Sequence, residues 1–140
     1  MLLDVNLLVS LAWPNHVHHQ PALAWFGRRG SQPWATTPFT EAGFVRVSSN
    51  VSAIPAAVTP SEAIALLERM REVFEHRFLI DDIPLVVGMY LGAERVASYR
   101  HVTDAHLLAV ARRHGASLAT LDRGIAALAG GKDVIVVPLS

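Results

Sequence analysis

Short apolar blocks alternate with longer amphipathic ones along the chain, and the alternation predicts strands and helices in turn. Met1 to Val5 is apolar except for Asp4 and reads as a strand. Leu7 to Leu11 opens a helical stretch that breaks at Trp13-Pro14, because proline has no amide to give the helix. A second helix is predicted from His18 to Arg28, stopping at Gly30. Pro33 to Thr37 reads as a short strand. Thr37 as N-cap and Pro38 at the first helical position then open a helix to about Ser48. Asn50 to Pro60 is a turn-rich loop. Thr59-Pro60-Ser61-Glu62 has capping-box spacing and heads an amphipathic helix over Glu62–His76. Phe78–Ile80 is a brief strand candidate, and Pro84–Ser98 a helix that is apolar at first and charged towards its end. Thr103 as N-cap, Arg112, Arg113 and His114 in the last turn, and Gly115 beyond it delimit a further helix. Ser117–Leu121 and Val134–Val137 are the closing strands.

Strand and helix alternate without internal repeats or a linker, which predicts one α/β domain over residues 1–140 with a central parallel sheet and helices on both faces. Right-handed crossovers then put every strand C-terminus at one edge, where ligands bind in such folds. The composition agrees: 51% hydrophobic and 17% charged residues describe a folded chain, not a disordered one. With no cysteine, disulfides, thiolate metal sites and cysteine nucleophiles are excluded. No apolar stretch is long enough to span a bilayer and no export signal is read, so a cytoplasmic location is expected.

Four acids fall at boundaries of these elements. Asp4 closes the first strand, with Asn6 on the same side if the chain stays extended. Glu41 lies about one turn into the helix opened by Pro38, Asp104 is the first residue after the Thr103 cap, and Asp122 follows the strand Ser117–Leu121. An acid in a first helical turn commonly just complements the helix dipole, and Asp122 could be a turn aspartate. The helical faces argue otherwise. Asp104 shares a stripe with Leu107, Leu108 and Ala111, and Glu41 one with Phe44 and Val45, so both carboxylates sit at the head of a core-facing stripe. At about 4 Å and an effective dielectric near 20, each like-charge pair costs roughly 4 kcal/mol. A divalent cation is the natural counter-charge, and all-oxygen ligation favours Mg²⁺ or Mn²⁺.

Charge adds one further point. Lys+Arg and Asp+Glu balance at 12 each. If four acids converge on a site, 12 basic residues face 8 remaining acidic ones, which permits a nucleic-acid partner without demanding one.

The runs L-L-D-V-N-L-L-V, T-P-F-T-E-A-G-F-V-R-V, V-T-D-A-H-L-L-A-V-A and L-A-T-L-D-R-G, in that order over nearly the whole chain, resemble a PIN domain, and more narrowly the VapC-type toxins of toxin–antitoxin pairs. The resemblance implies a Mg²⁺-dependent endoribonuclease that cuts RNA with a metal-activated water, forms a homodimer and is inhibited by a small VapB-type antitoxin. It places the family's acids on Asp4, Glu41, Asp104 and Asp122, with Asn6 as an accessory polar group. Asp4 and Asp104 would hold the metal; Glu41 and Asp122 would bind a second ion or orient the water. Arg123 and Gly124 stand where many members carry another acid, so Asp122 is either a ligand or a water-positioning group.

Other residues have plainer readings. His16, His18 and His19 lack a fourth ligand for a transition metal and read as a solvated helix start. His106 lies about 200° around its helix from Asp104, so the two are not a chelate. Asp81-Asp82 reads as an N-cap, and Trp13, Trp25 and Trp34 as core or interface anchors. Arg95, Arg100 and His101 either hold RNA phosphates near the cleft or form an ordinary solvated helix end. A haloacid-dehalogenase-like phosphatase is the competing enzyme class, since D-x-N resembles its D-x-D start, but Asn6 cannot donate a proton and Lys132 is poorly placed. A non-catalytic RNA- or partner-binding module is the third alternative, disfavoured by retention of all four acids.

Overall fold

The computed structural model describes residues 1–85 and 99–139. Five strands, β1 (Leu2–Leu3), β2 (Trp34–Thr36), β3 (His76–Phe78), β4 (Leu118–Thr120) and β5 (Val134–Val136), form one parallel sheet in the order β3-β2-β1-β4-β5. The described helices of more than one turn are α1 (Val5–Ala12), α2 (His19–Arg28), α3 (Pro38–Ser48), α4 (Pro60–Glu72), α5 (Val102–Arg113) and α6 (Arg123–Leu128). A 3₁₀ turn at Tyr99–His101 leads into α5. This is the expected α/β architecture.

The sheet has a core on each side, and the two-residue period of the strands assigns side chains to them. Leu3, Trp34 and Ala119 join the core made with α1–α4, including Leu7, Phe44 and Leu67. Leu2, Ala35 and Leu118 join the other, made with Leu107, Leu108 and Val110 of α5 and Ile125 of α6. The central strand is only two residues long but fully buried, and its backbone bonds both neighbours: Leu2 N–H donates to Ser117 O (2.8 Å), and Ala35 N–H to Met1 O (2.8 Å). The strand order reverses between β1 and β4, and that is where a doubly wound sheet opens its crevice.

Several boundaries differ from expectation. The first strand stops at Leu3 and the helix begins at Val5, because Asp4 is at once the strand's end and the helix N-cap. The helix expected to run to His76 ends at Glu72. Phe74 turns the chain at φ +66°, and Trp34 N–H then takes Glu75 O (3.1 Å) to start the β2–β3 ladder. The strand expected at Phe78–Ile80 accordingly lies at His76–Phe78. It is an edge strand whose side chains are half-buried or exposed, so it has no apolar pattern. Thr103 is not an N-cap: the 3₁₀ turn runs straight into α5, putting His101 at the cap and Asp104 third in the helix. Helix α6 was not expected at all. His19 is not solvated either. It is buried against α1, where its Nδ1–H donates to Ser10 O (2.8 Å).

Trp34 is a core residue, and Trp13 and Trp25 pack on the same cluster. Asp81 and Asp82 tie their segment to α5, through His106 Nε2 (2.7 Å) and Arg113 (2.9 Å). The helix expected over Pro84–Ser98 lies, after its first two residues, outside the described ones. Among the described residues no helix is long and apolar enough to cross a membrane.

Candidate active site and metal-binding acids

Asp4 stands at the reversal point of the sheet, only 6% exposed. Its Oδ1 accepts the Leu7 N–H at 2.7 Å, the bond of an N-cap aspartate at the head of α1. Its Oδ2 accepts a short hydrogen bond from the Thr120 hydroxyl. The parallel register explains that partner: Leu2 pairs with Leu118 and Leu3 with Ala119, which puts Thr120 opposite Asp4. Thr120 Oγ1 in turn accepts the Asp122 N–H at 3.0 Å. Both hydrogen bonds to the carboxylate favour its charge, yet burial outweighs them. Burial, with the nearby charges of Asp104 and Asp122, raises the Asp4 pKa to about 6.

Asp104, in the first turn of α5, is half-buried at the head of the stripe formed by Leu107, Leu108 and Ala111, all buried. Burial and the charge of Asp122 push its pKa up, while His101 pulls it down. His101 Nδ1 lies 3.9 Å from Asp104 Oδ2, too far for a hydrogen bond, and is itself buried with no hydrogen-bond partner among the described residues. Asp122 caps α6, its Oδ1 accepting the Gly124 N–H at 2.7 Å. His101 and Asp122 crowd that turn. A Cβ on Gly124 would meet His101 Cε1 and Asp122 Oδ1, each at 3.1 Å. Asp4, Asp104 and Asp122 thus lie within one another's fields, arriving from the ends of β1 and β4 and the start of α5.

Glu41 is at the same edge of the sheet but on a different support. Its Oε1 accepts the Thr36 hydroxyl at 2.6 Å and lies 3.3 Å from an Arg71 guanidinium nitrogen. It is not among the charges that perturb Asp4 or Asp104. Thr36 follows Trp34 by two and so belongs to the α1–α4 face, whereas Asp4 follows Leu2 by two and meets Thr120 on the other. Asn6 is exposed on the first turn of α1, so the extended-chain argument for it fails. Arg95 lies outside the described residues; Arg100 is in the 3₁₀ turn beside His101.

Four residues at this edge were not singled out from the sequence: Thr36, Thr120, Arg71 and His76. The two threonines had a signal. Each ends a buried strand just before an acid or a helix cap, where a purely structural strand would place another aliphatic residue. Arg71 and His76 had none, since their role depends on how α4 and β3 pack.

The donor set suits a hard cation. It offers carboxylate and hydroxyl oxygens, and burial together with neighbouring like charges raises the pKa of both Asp4 and Asp104. Among the described residues no group of three or more His, Cys, Asp and Glu is arranged to hold a metal by itself.

Comparison with known proteins agrees with this geometry. The model of the PIN domain matches residues 1–131. The chain is similar to ribonuclease VapC39 of Mycobacterium tuberculosis, 50% identical over 125 residues covering 89% of this chain and 90% of that protein. It is 48% identical to ribonuclease VapC38 of the same organism over 128 residues, 91% of this chain and 89% of that protein. Ribonuclease VapC29, again from that organism, is 36% identical over 138 residues, 97% and 96% of the two chains.

Proposed function

The chain belongs to the PIN-domain family, and from that premise we propose that it is a metal-dependent endoribonuclease, the toxin of a toxin–antitoxin pair, whose reaction centre is built on Asp4, Asp104 and Asp122. The observation that carries this reading is Asp4: a carboxylate sealed into the sheet's reversal point, held by Thr120, with two further acids pressing on it. A purely structural core does not collect charges of one sign.

Asp4 and Asp104 would hold the ion, Mg²⁺ or Mn²⁺, with Asp122 and Glu41 in support and Asn6 as an accessory polar group. When bound, the cation supplies charge neutralisation and Lewis acidity towards a phosphodiester. The remaining work falls to the chain. Asp122 Oδ1 is occupied by the Gly124 amide, and no described residue bonds its Oδ2, the atom suited to take a proton from the attacking water. His101, beside Asp104 and the turn at Asp122, would stand near the scissile phosphate, with Arg95 and Arg100 as further phosphate contacts. Thr120 keeps Asp4 in a single orientation. A homodimer and a VapB-type antitoxin are the protein partners in this reading, and RNA in the cytoplasm is the substrate.

Asp104→Asn tests it. Asparagine is nearly isosteric and tolerates a helix's first turn, so a mere dipole role predicts a loss of only a few tenths of a kcal/mol and normal cleavage. The proposed role predicts RNA cleavage down by orders of magnitude, a wild-type protein silenced by chelator, and a smaller gain in melting temperature from millimolar Mg²⁺ in the variant. RNA cleavage that persists in EDTA would sink the reading.

A further inference from the structure

One polar chain at the sheet edge is left over from the reaction centre. His76, on the edge strand, pairs in register with Trp34, so the two rings share a face and meet edge-on with centroids 4.6 Å apart. From there His76 Nε2 reaches the hydroxyl of Thr36, two residues along β2, at 2.8 Å. The same hydroxyl lies 2.6 Å from Glu41 Oε1. A hydroxyl has one proton. A carboxylate paired with Arg71 can only accept, so the Thr36 proton goes to Glu41. The short contact with His76 therefore requires that Nε2 carry a hydrogen and donate it to Thr36.

We infer that His76 is a positioning residue which fixes Glu41 through the Thr36 hydroxyl. The inference rests on the reading that Glu41 serves the reaction centre. The relay and Arg71 both address Oε1, and no described residue bonds Oε2, which is left to take a ligand. Arg71 is itself steadied above the Phe78 ring, 5.7 Å from its centroid. The edge strand thus contributes the foundation of an acid that is placed, by its own helix, only at the end of a rotatable side chain. Burial and the Arg71 charge hold the His76 imidazole below its usual pKa, so the ring is neutral near neutral pH and its tautomer is a real choice.

Two measurements test this. Nitrogen-15 correlation spectra of the imidazoles in the intact protein at pH 8 should show His76 as the Nε2–H tautomer; a dominant Nδ1–H form overturns the relay. For activity, Thr36→Val removes the hydroxyl, His76→Phe keeps a ring against Trp34 without a donor, and His76→Gln restores an N–H near Nε2. Thr36→Val and His76→Phe should each lower kcat for RNA by roughly 10- to 100-fold and weaken Mn²⁺ binding similarly, as loss of a support behind a ligand does. KM for RNA should stay within a few-fold, and the double variant should be no worse than the weaker single one. His76→Gln should recover most of kcat and of Mn²⁺ affinity. Normal cleavage and Mn²⁺ binding by His76→Phe, with Glu41→Gln inactive, overturns the relay and leaves the role of Glu41 standing. Normal cleavage by Glu41→Gln removes that role and the relay with it. If His76→Phe fails to fold, the tautomer and His76→Gln decide.

Discussion

A carboxylate pushed to a pKa of about 6 is a stability statement about Asp4. Its folded-state value is raised, so the proton binds more tightly to the folded than to the unfolded chain. The stability this contributes is fully present below the unfolded value of 3.8 and is lost as pH rises through about 6. A shift of that size corresponds to about 3 kcal/mol of strain in the metal-free protein at neutral pH. Asp4→Asn keeps an acceptor for the Leu7 amide while removing the charge. In chelator at pH 8 it should be more stable than wild type in urea titrations, and the gap should close between pH 6 and 4. A gap that does not change with pH would show that Asp4 is not ionised against resistance. Mg²⁺ competes with the same proton, so the increase in melting temperature it gives wild type should fade below about pH 6. Loss of that fade would point to ligands other than the buried acids.

Among the elements, α1 and α3 meet closely at Gly43. A Cβ on Gly43 would lie 2.5 Å from Val5 Cγ2, and valine, stiff about χ1, has little room to turn aside. Val5 follows Asp4, and Gly43 is two residues from Glu41, so this contact sets the spacing between two supports of the site. Gly43→Ala should cost about 1–3 kcal/mol by overpacking. Val5→Ala on that background should return most of it, measured by thermal melts of the single and double variants. Gly43 stood in the sequence without any mark of this role. The elements themselves were largely legible: Thr37-Pro38 and Thr59-Pro60-Ser61-Glu62 do start α3 and α4, and the alternation of strand and helix gave the parallel sheet. Asp104 drew notice because a charge at the head of a core-facing helical stripe contradicts its surroundings, and Asp4 and Asp122 because each follows an apolar strand. What was illegible came from tertiary packing: β3 shows no pattern because it is an edge, and α5 starts early because a 3₁₀ turn feeds it. Glu41 looked like one of four equal acids because no one-dimensional pattern says which face of a sheet its anchor will take.

For the molecule as a whole, zero net charge leaves an excess of basic residues outside the cleft if the acids converge there as proposed. RNA binding by the Asp4→Asn protein should therefore weaken steeply with salt, as counterions are released from the phosphates it contacts. Anisotropy titrations between about 50 and 200 mM salt would show this, and affinity indifferent to salt would argue against a phosphate-led interface. The bond between Thr120 and Asp4 has a consequence for synthesis. It joins positions 116 apart, and β1 lies between β2 and β4, one made early and the other late. A ribosome releases the aspartate well before its threonine, so a nascent chain cannot close the sheet between β1 and β4 or give that carboxylate its Thr120 bond until β4 has emerged. Contacts of such long separation also form slowly. Chains stalled before residue 117 should therefore lack both the protease resistance and the RNA cleavage of chains that include β4.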